Sequence, residues 1–312
     1  MSKFLLATRY RKVHFSVPLA SEIEPRWDRA LFRSPVGGGV ATATTAAVAG
    51  TTTFTTTSAT SVKKEVRLSA NSREMQQGLV IGFHVITFLQ YAFAVYYDYT
   101  FTIVPQNVTK VHGAFGGKFK FLTFWDAILQ AVFFLICVLN DCFGTNAVNP
   151  KKPPFIRKLK DYFHVSLGFP IAMFVGVIFW GLMFIDRELV LPKVLDPYFP
   201  RWLNHLMHTM IIVTTVLEMI VAPRQYPKRS RNLGILTGFM LMYLVWIHVI
   251  YFKSGIWVYP VMEVLTLPLR IVFIAMLLVV CMVLYFVGEA LDNYLWGKKY
   301  NTKHQTSHTK SK

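Results

Sequence analysis

Thr123, Asp126 and Gln130 lie in the stretch "GGKFKFLTFWDAILQAVFFLICVL", which is otherwise apolar enough to cross a bilayer. At about 100° per residue these side chains fall in one narrow stripe of a helix. A second such run, "RWLNHLMHTMIIVTTVLEMI", places Asn204, His208, Thr215 and Glu218 on one face and turns His205 away from it. A hydroxyl beside an imidazole suits nucleophilic catalysis, because the imidazole removes the proton that leaves a free threonine a poor nucleophile. Thr123 is thus the candidate nucleophile and His208 the candidate base. The N-terminal turn of the helix carrying Thr123 would add backbone N–H groups suited to a developing oxyanion. Asp126 and Glu218 are candidates to orient the histidine, to join helices, or to sit protonated and inert. Asn204 shares the histidine's face, and Gln130 suits an interhelical hydrogen bond. A lone intramembrane threonine ordinarily bonds back to its own helix, so the chemistry depends on whether the fold brings the pair together.

The elements that must do so are written in the composition. The chain has 312 residues, 54% of them hydrophobic and 15% aromatic, with a mean hydropathy of +0.41. That is more apolar than a soluble domain of this size. Runs of about 20 apolar residues, the length that crosses a hydrocarbon core, occur at 78–95, 121–142, 163–185, 203–222, 233–252 and 267–288. The fold expected is an all-α integral membrane protein, a bundle of six transmembrane helices over residues 77–296. It is preceded by an extension over 1–76 and followed by a basic tail over 297–312.

The net charge of +17 forms no nucleic-acid motif and marks topology instead. Lys151, Lys152, Arg157, Lys158 and Lys160 crowd the second connection, Arg224, Lys228, Arg229 and Arg231 the fourth, and Lys298, Lys299 and Lys303 the tail. These segments, and with them both termini, are expected on the cytoplasmic side. Thr123 and His208 then both sit in the first turns of helices entering from the opposite side, at depths matching within about two helical turns, roughly 10 Å. Asn107-Val-Thr109 in the first connection is a glycosylation acceptor, consistent with a loop on that opposite side.

The first segment, "MSKFLLATRYRKVHFSVPLAS", is basic and resembles a transit peptide in composition. The tract "GGGVATATTAAVAGTTTFTTTSATS" has too few large apolar residues for a core, and the extension reads as disordered. Cys137, Cys142 and Cys281 lie in or beside the apolar runs and are odd in number, so no disulfide framework follows. His205 and His208, three residues apart, have no convincing set of further ligands, and no metal is expected.

From about Met75 to Lys299 the chain resembles the androgen-induced protein family, which includes the androgen-dependent TFPI-regulating protein. The resemblance is carried by "GGKFKFLTFWDAILQAVFFLICVLND", "FPIAMFVGVIFW", "DRELVLPKVLD", "PRWLNHLMHT", "RQYPKRS", "GIWVYPVME" and "LWGKKY". It implies a multipass membrane hydrolase of fatty acid esters of hydroxy fatty acids, with the threonine of "KFLTF", Thr123, as nucleophile and the second histidine of "NHLMHT", His208, as its partner. No cofactor is implied; the partners are the lipid ester and the bilayer, in the endoplasmic reticulum or the plasma membrane. Such a substrate carries a free carboxylate. Arg270, in "LPLRIVF" at the start of the sixth run, is a candidate to grip it with paired hydrogen bonds, or an anchor to headgroups. Two other classes compete. A transporter or channel would use Asp126, His208 and Glu218 as an ion path, although no inverted repeat of broken helices is visible; a non-catalytic signalling protein would use the polar stripes only to lock helices.

Overall fold

The computed structural model describes residues 54–226 and 228–309; the transit-like segment and most of the Ala/Thr/Gly tract lie outside the described residues. Six long helices follow one another: α1 (Phe54–Phe101), α2 (Leu122–Phe143), α3 (Phe155–Ile185), α4 (Arg201–Val221), α5 (Arg229–Ser254) and α6 (Leu267–Thr309). Each holds one of the six apolar runs in a segment long and apolar enough to cross a membrane. Their ends follow local chemistry. Pro154 and Pro200 precede the first residues of α3 and α4, where a missing N–H costs no helical bond. Gly255 closes α5 in the left-handed region at φ 68°, with its N–H returned to Tyr251.

Two of the helices are not uniformly α. Residues His164–Gly168 of α3 and Leu206–Met210 of α4 form single π turns. A π turn widens the helix and leaves carbonyls open to partners from elsewhere. In α3 the wide turn immediately precedes Pro170, whose ring could not fit an undisturbed helical interior.

Helix α3 is the axis of the bundle. Just over half of its spanning window is buried (56%), against 17% for α6 and 22% for α1. The outer helices turn apolar side chains such as Val272, Val279 and Val283 outward, the arrangement suited to lipid rather than water. Phe133, Phe134, Ile171, Ala172, Ile211 and Tyr285 fill the centre.

The bundle end away from Thr123 corrects one part of the charge reading. Arg157, Lys160 and Arg224 are not flanking charges open to solvent but buried ones, whereas Lys151, Lys152 and Lys158 are exposed. The reason is that α3 begins at Phe155, eight residues ahead of its apolar run, and carries Arg157 and Lys160 inward to partners. Glu218 of α4 accepts from Arg224 at 2.9 Å and lies 3.2 Å from Lys160 Nζ and 2.7 Å from His84 Nε2 of α1. His84 Nδ1 reaches Asp141 of α2 at 2.5 Å. Arg157 pairs with Asp161 and donates to the carbonyls of Thr145 and Pro223. Buried charges of this kind persist only when each finds a partner.

Candidate functional site

Thr123 is the second residue of α2 and His208 sits in the π turn of α4. Their side chains meet, with Oγ1 of Thr123 3.1 Å from Nε2 of His208. The other ring nitrogen, Nδ1, lies 3.0 Å from the carbonyl oxygen of Asn204. A carbonyl only accepts, so Nδ1 carries the proton and Nε2 of the neutral ring is left as acceptor for the threonine hydroxyl. Phe179 of α3 stacks on the imidazole, with centroids 3.6 Å apart and planes inclined by 16°. One turn earlier, Gly176 lets α3 and α4 touch. A Cβ there would lie 2.5 Å from Ile212 Cδ1 and 2.9 Å from the His208 carbonyl oxygen.

The first turn of α2 supplies donors. Leu122 N–H donates to the Tyr259 hydroxyl at 3.0 Å and Phe124 N–H to the Phe121 carbonyl, while Thr123 N–H has no partner among the described residues. Tyr243 donates to the Lys120 carbonyl at 2.9 Å, which leaves its oxygen to accept from Tyr259 at 2.7 Å. Burial raises the Tyr259 phenol above its ordinary pKa, so it stays protonated and able to donate.

Two chambers of unlike chemistry meet at Thr123. One is apolar and lined by residues including Ile178, Met240, Leu244, Phe273 and Leu277. The other is a vestibule with largely apolar walls that also bears the polar side chains of Asp98, Thr102, His112, Lys118 and His208. Thr123, Phe179, Val190 and Tyr259 line both.

The remaining residues singled out by sequence are distributed differently. Asp126 is buried and accepts at 3.0 Å from Gln130, which also donates at 3.0 Å to the Gly168 carbonyl of the π turn in α3. This interhelical bond is the one expected of Gln130; Asp126 does not reach the histidine, whose Nδ1 is taken by a carbonyl. Asn204 serves through its backbone, and its Oδ1 has no partner among the described residues. Glu218 is ten residues beyond His208 on α4, about 15 Å along the axis, and belongs to the ion network at the other end. Arg270 donates to the Leu265 carbonyl and lies over the Trp257 ring at 4.5 Å, without lining either chamber. His205 stacks on Trp180 away from the pair. Asn107 is exposed in the connection between α1 and α2. All three cysteines are free. Cys137, His84 and Glu218 come close enough to one another to suggest a metal site, but Lys160 and Arg224 already occupy the same carboxylate and would repel a cation.

Sequence reasoning missed Phe179, Tyr243, Tyr259 and Lys118. Lys118, Phe179 and Tyr259 lie within the stretches "GGKFKFLTFWDAILQAVFFLICVLND", "FPIAMFVGVIFW" and "GIWVYPVME", whereas Tyr243 lies in none of those that carry the resemblance.

Comparison with known proteins finds relatives of this sequence. A sequence model described as FAR-17a/AIG1-like protein matches residues 80–293. The chain is 38% identical over 191 residues to the androgen-induced gene 1 protein of Homo sapiens, covering 59% of this chain and 80% of that protein. It is 35% identical over 219 residues to the androgen-dependent TFPI-regulating protein of Mesocricetus auratus, covering 69% and 92%. A more distant relative, the UPF0641 membrane protein PJ4664.05 of Schizosaccharomyces pombe, is 18% identical over 185 residues, covering 59% and 79%. No solved structure matches the chain.

Proposed function

We propose that this chain, which belongs to the FAR-17a/AIG1-like protein family, is a membrane-embedded threonine hydrolase that cleaves fatty acid esters of hydroxy fatty acids. The observation that carries the reading is the Thr123–His208 hydrogen bond, with the imidazole tautomer fixed by Asn204 and the hydroxyl placed where two chambers join. Thr123 Oγ1 attacks the ester carbonyl carbon as its proton passes to His208 Nε2. The carbonyl oxygen, now an anion, is positioned to accept from Thr123 N–H, and from Tyr259 once its hydroxyl turns away from Tyr243. Collapse breaks the bond to the hydroxy acid, whose oxygen takes the proton back from Nε2. Water then attacks the acyl-threonine with His208 again as base, freeing the fatty acid and restoring Thr123. The topology proposed has both termini cytoplasmic and the site in the opposite half of the bilayer. An ion path through Asp126 and Glu218 lacks support, because neither residue lines a chamber.

Purified protein in detergent micelles, given such an ester, should release free fatty acid without any gradient across a membrane. Failure to do so, in protein shown to be folded, would overturn the hydrolase reading. Two substitutions away from the reacting atoms grade the geometry. His205→Ala should change turnover by less than about threefold, as expected for a side chain outside the site. Gly176→Val pushes the His208 turn away from Thr123, and a displacement of about 1 Å should lower kcat by roughly ten- to a hundredfold. Wild-type turnover in Gly176→Val would show that the helix contact does not set the pair's geometry.

A further inference from the structure

The two chambers differ in a way that bears on the substrate. One offers apolar side chains almost throughout, whereas the vestibule brings Lys118 to the same threonine. Lys118 stands on the short 3-10 turn Gly117–Lys120, directly ahead of α2, so its position is tied to that of Thr123. Its ammonium lies 2.9 Å from Asp98 Oδ1, in the last turn of α1, and also donates to Oγ1 of Thr102, the residue just after that helix. An ammonium has three N–H donors, and these two contacts leave one. The side chain remains 18% exposed and lines the vestibule.

The surroundings select the sign of that ligand. Asp98 is offset by Lys118. Lys120 lies behind the vestibule wall, bonded only to the carbonyls of His112 and Ala114 and facing no carboxylate among the described residues. Burial, and then Lys118, lowers the Lys120 pKa to about 8, so it remains mostly cationic at neutral pH. His112 is brought down to about 4 by burial and by these two lysines, so it faces the vestibule neutral. The balance of charge is positive, beside an apolar wall of Phe121, Phe124, Leu195 and Phe199.

We infer that the vestibule holds the alcohol-side limb of the ester and that Lys118 binds an anionic group at its end, while the apolar chamber takes the acyl limb. This rests on the hydrolase reading for the word ester, but not for the anion site. Either a fatty carboxylate or a phosphate-headed lysolipid would present the required chemistry.

A binding measurement on Thr123→Ala protein, which does not depend on turnover, separates the two claims. A pyrene-labelled fatty acid, its methyl ester and a pyrene-labelled lysophosphatidate are each titrated into the protein in micelles. The anionic probes should bind more tightly than the methyl ester, and the tighter of the two names the source. Lys118→Gln should weaken anion binding by about tenfold or more relative to the methyl ester, in keeping with a charged hydrogen bond, and Lys118→Arg should restore most of it. In wild-type protein the same Lys118→Gln change should lower the free-acid to methyl-ester ratio of kcat/KM by a similar factor, through KM. Equal affinity for all three probes, or equal loss on all three in Lys118→Gln, would overturn the anion site. Binding that follows the expectation without any ester turnover would overturn the hydrolase reading alone.

Discussion

Replacing Thr123 by alanine removes ester turnover, by at least about a thousandfold, in a protein that still folds and purifies as the wild type does. The magnitude follows from losing the covalent route altogether rather than weakening a contact. His208→Ala should cost about 10²- to 10⁴-fold, the usual worth of a positioned general base. The two losses should not add, since each residue works only through the 3.1 Å bond to the other. Thr123→Ser is the informative control: it keeps the hydroxyl and drops a methyl, so measurable activity should survive. Initial rates of fatty acid release, normalised to folded protein, check all three. Thr123→Ala with most of its activity intact would mean that another group attacks the ester.

The second large effect falls on stability. Glu218 receives Arg224, Lys160 and His84 in a fully buried setting. Glu218→Ala leaves those groups facing one another without their shared carboxylate, a loss expected to cost about 3–5 kcal/mol. Thermal or denaturant unfolding in micelles should show the lower midpoint. Glu218→Gln should be milder, because it keeps the shape and part of the hydrogen bonding. Whatever activity survives in the folded fraction should retain a normal KM, as Glu218 lines neither chamber. A raised KM with unchanged stability would instead place Glu218 at the site.

What could be read from the sequence followed from periodicity. Six apolar runs became six helices, and a hydroxyl and an imidazole placed at matching depth proved to be hydrogen-bonded. The helical face drawn through Asn204, His208, Thr215 and Glu218 was less informative, because regular spacing says nothing of how far along the axis each residue finds its partner. The π turn at Leu206–Met210 was also invisible, since no spacing of residue types in that stretch announces it. Tyr259 and Lys118 reach the site from connections, whose paths no periodicity describes. Arg157, Lys160 and Arg224 looked like markers of a membrane surface because a charged residue near an apolar run usually is one. Only the fold supplies the carboxylates and carbonyls that let them turn inward.

The linkage of His84 to both Asp141 and Glu218 also constrains the order in which the protein can be completed during synthesis. Helix α1 leaves the ribosome first, with a polar side chain in the middle of its apolar surface. Asp141 arrives at the end of α2, but the second carboxylate comes only with the last turn of α4, after α3 has brought Lys160. A nascent chain that stops after three spans holds His84 with Asp141 and Lys160 with Asn146, but not the carboxylate that the histidine and the lysine share in the finished bundle. The fourth helix is thus the one that closes the network, joining α1 and α3 through a single carboxylate.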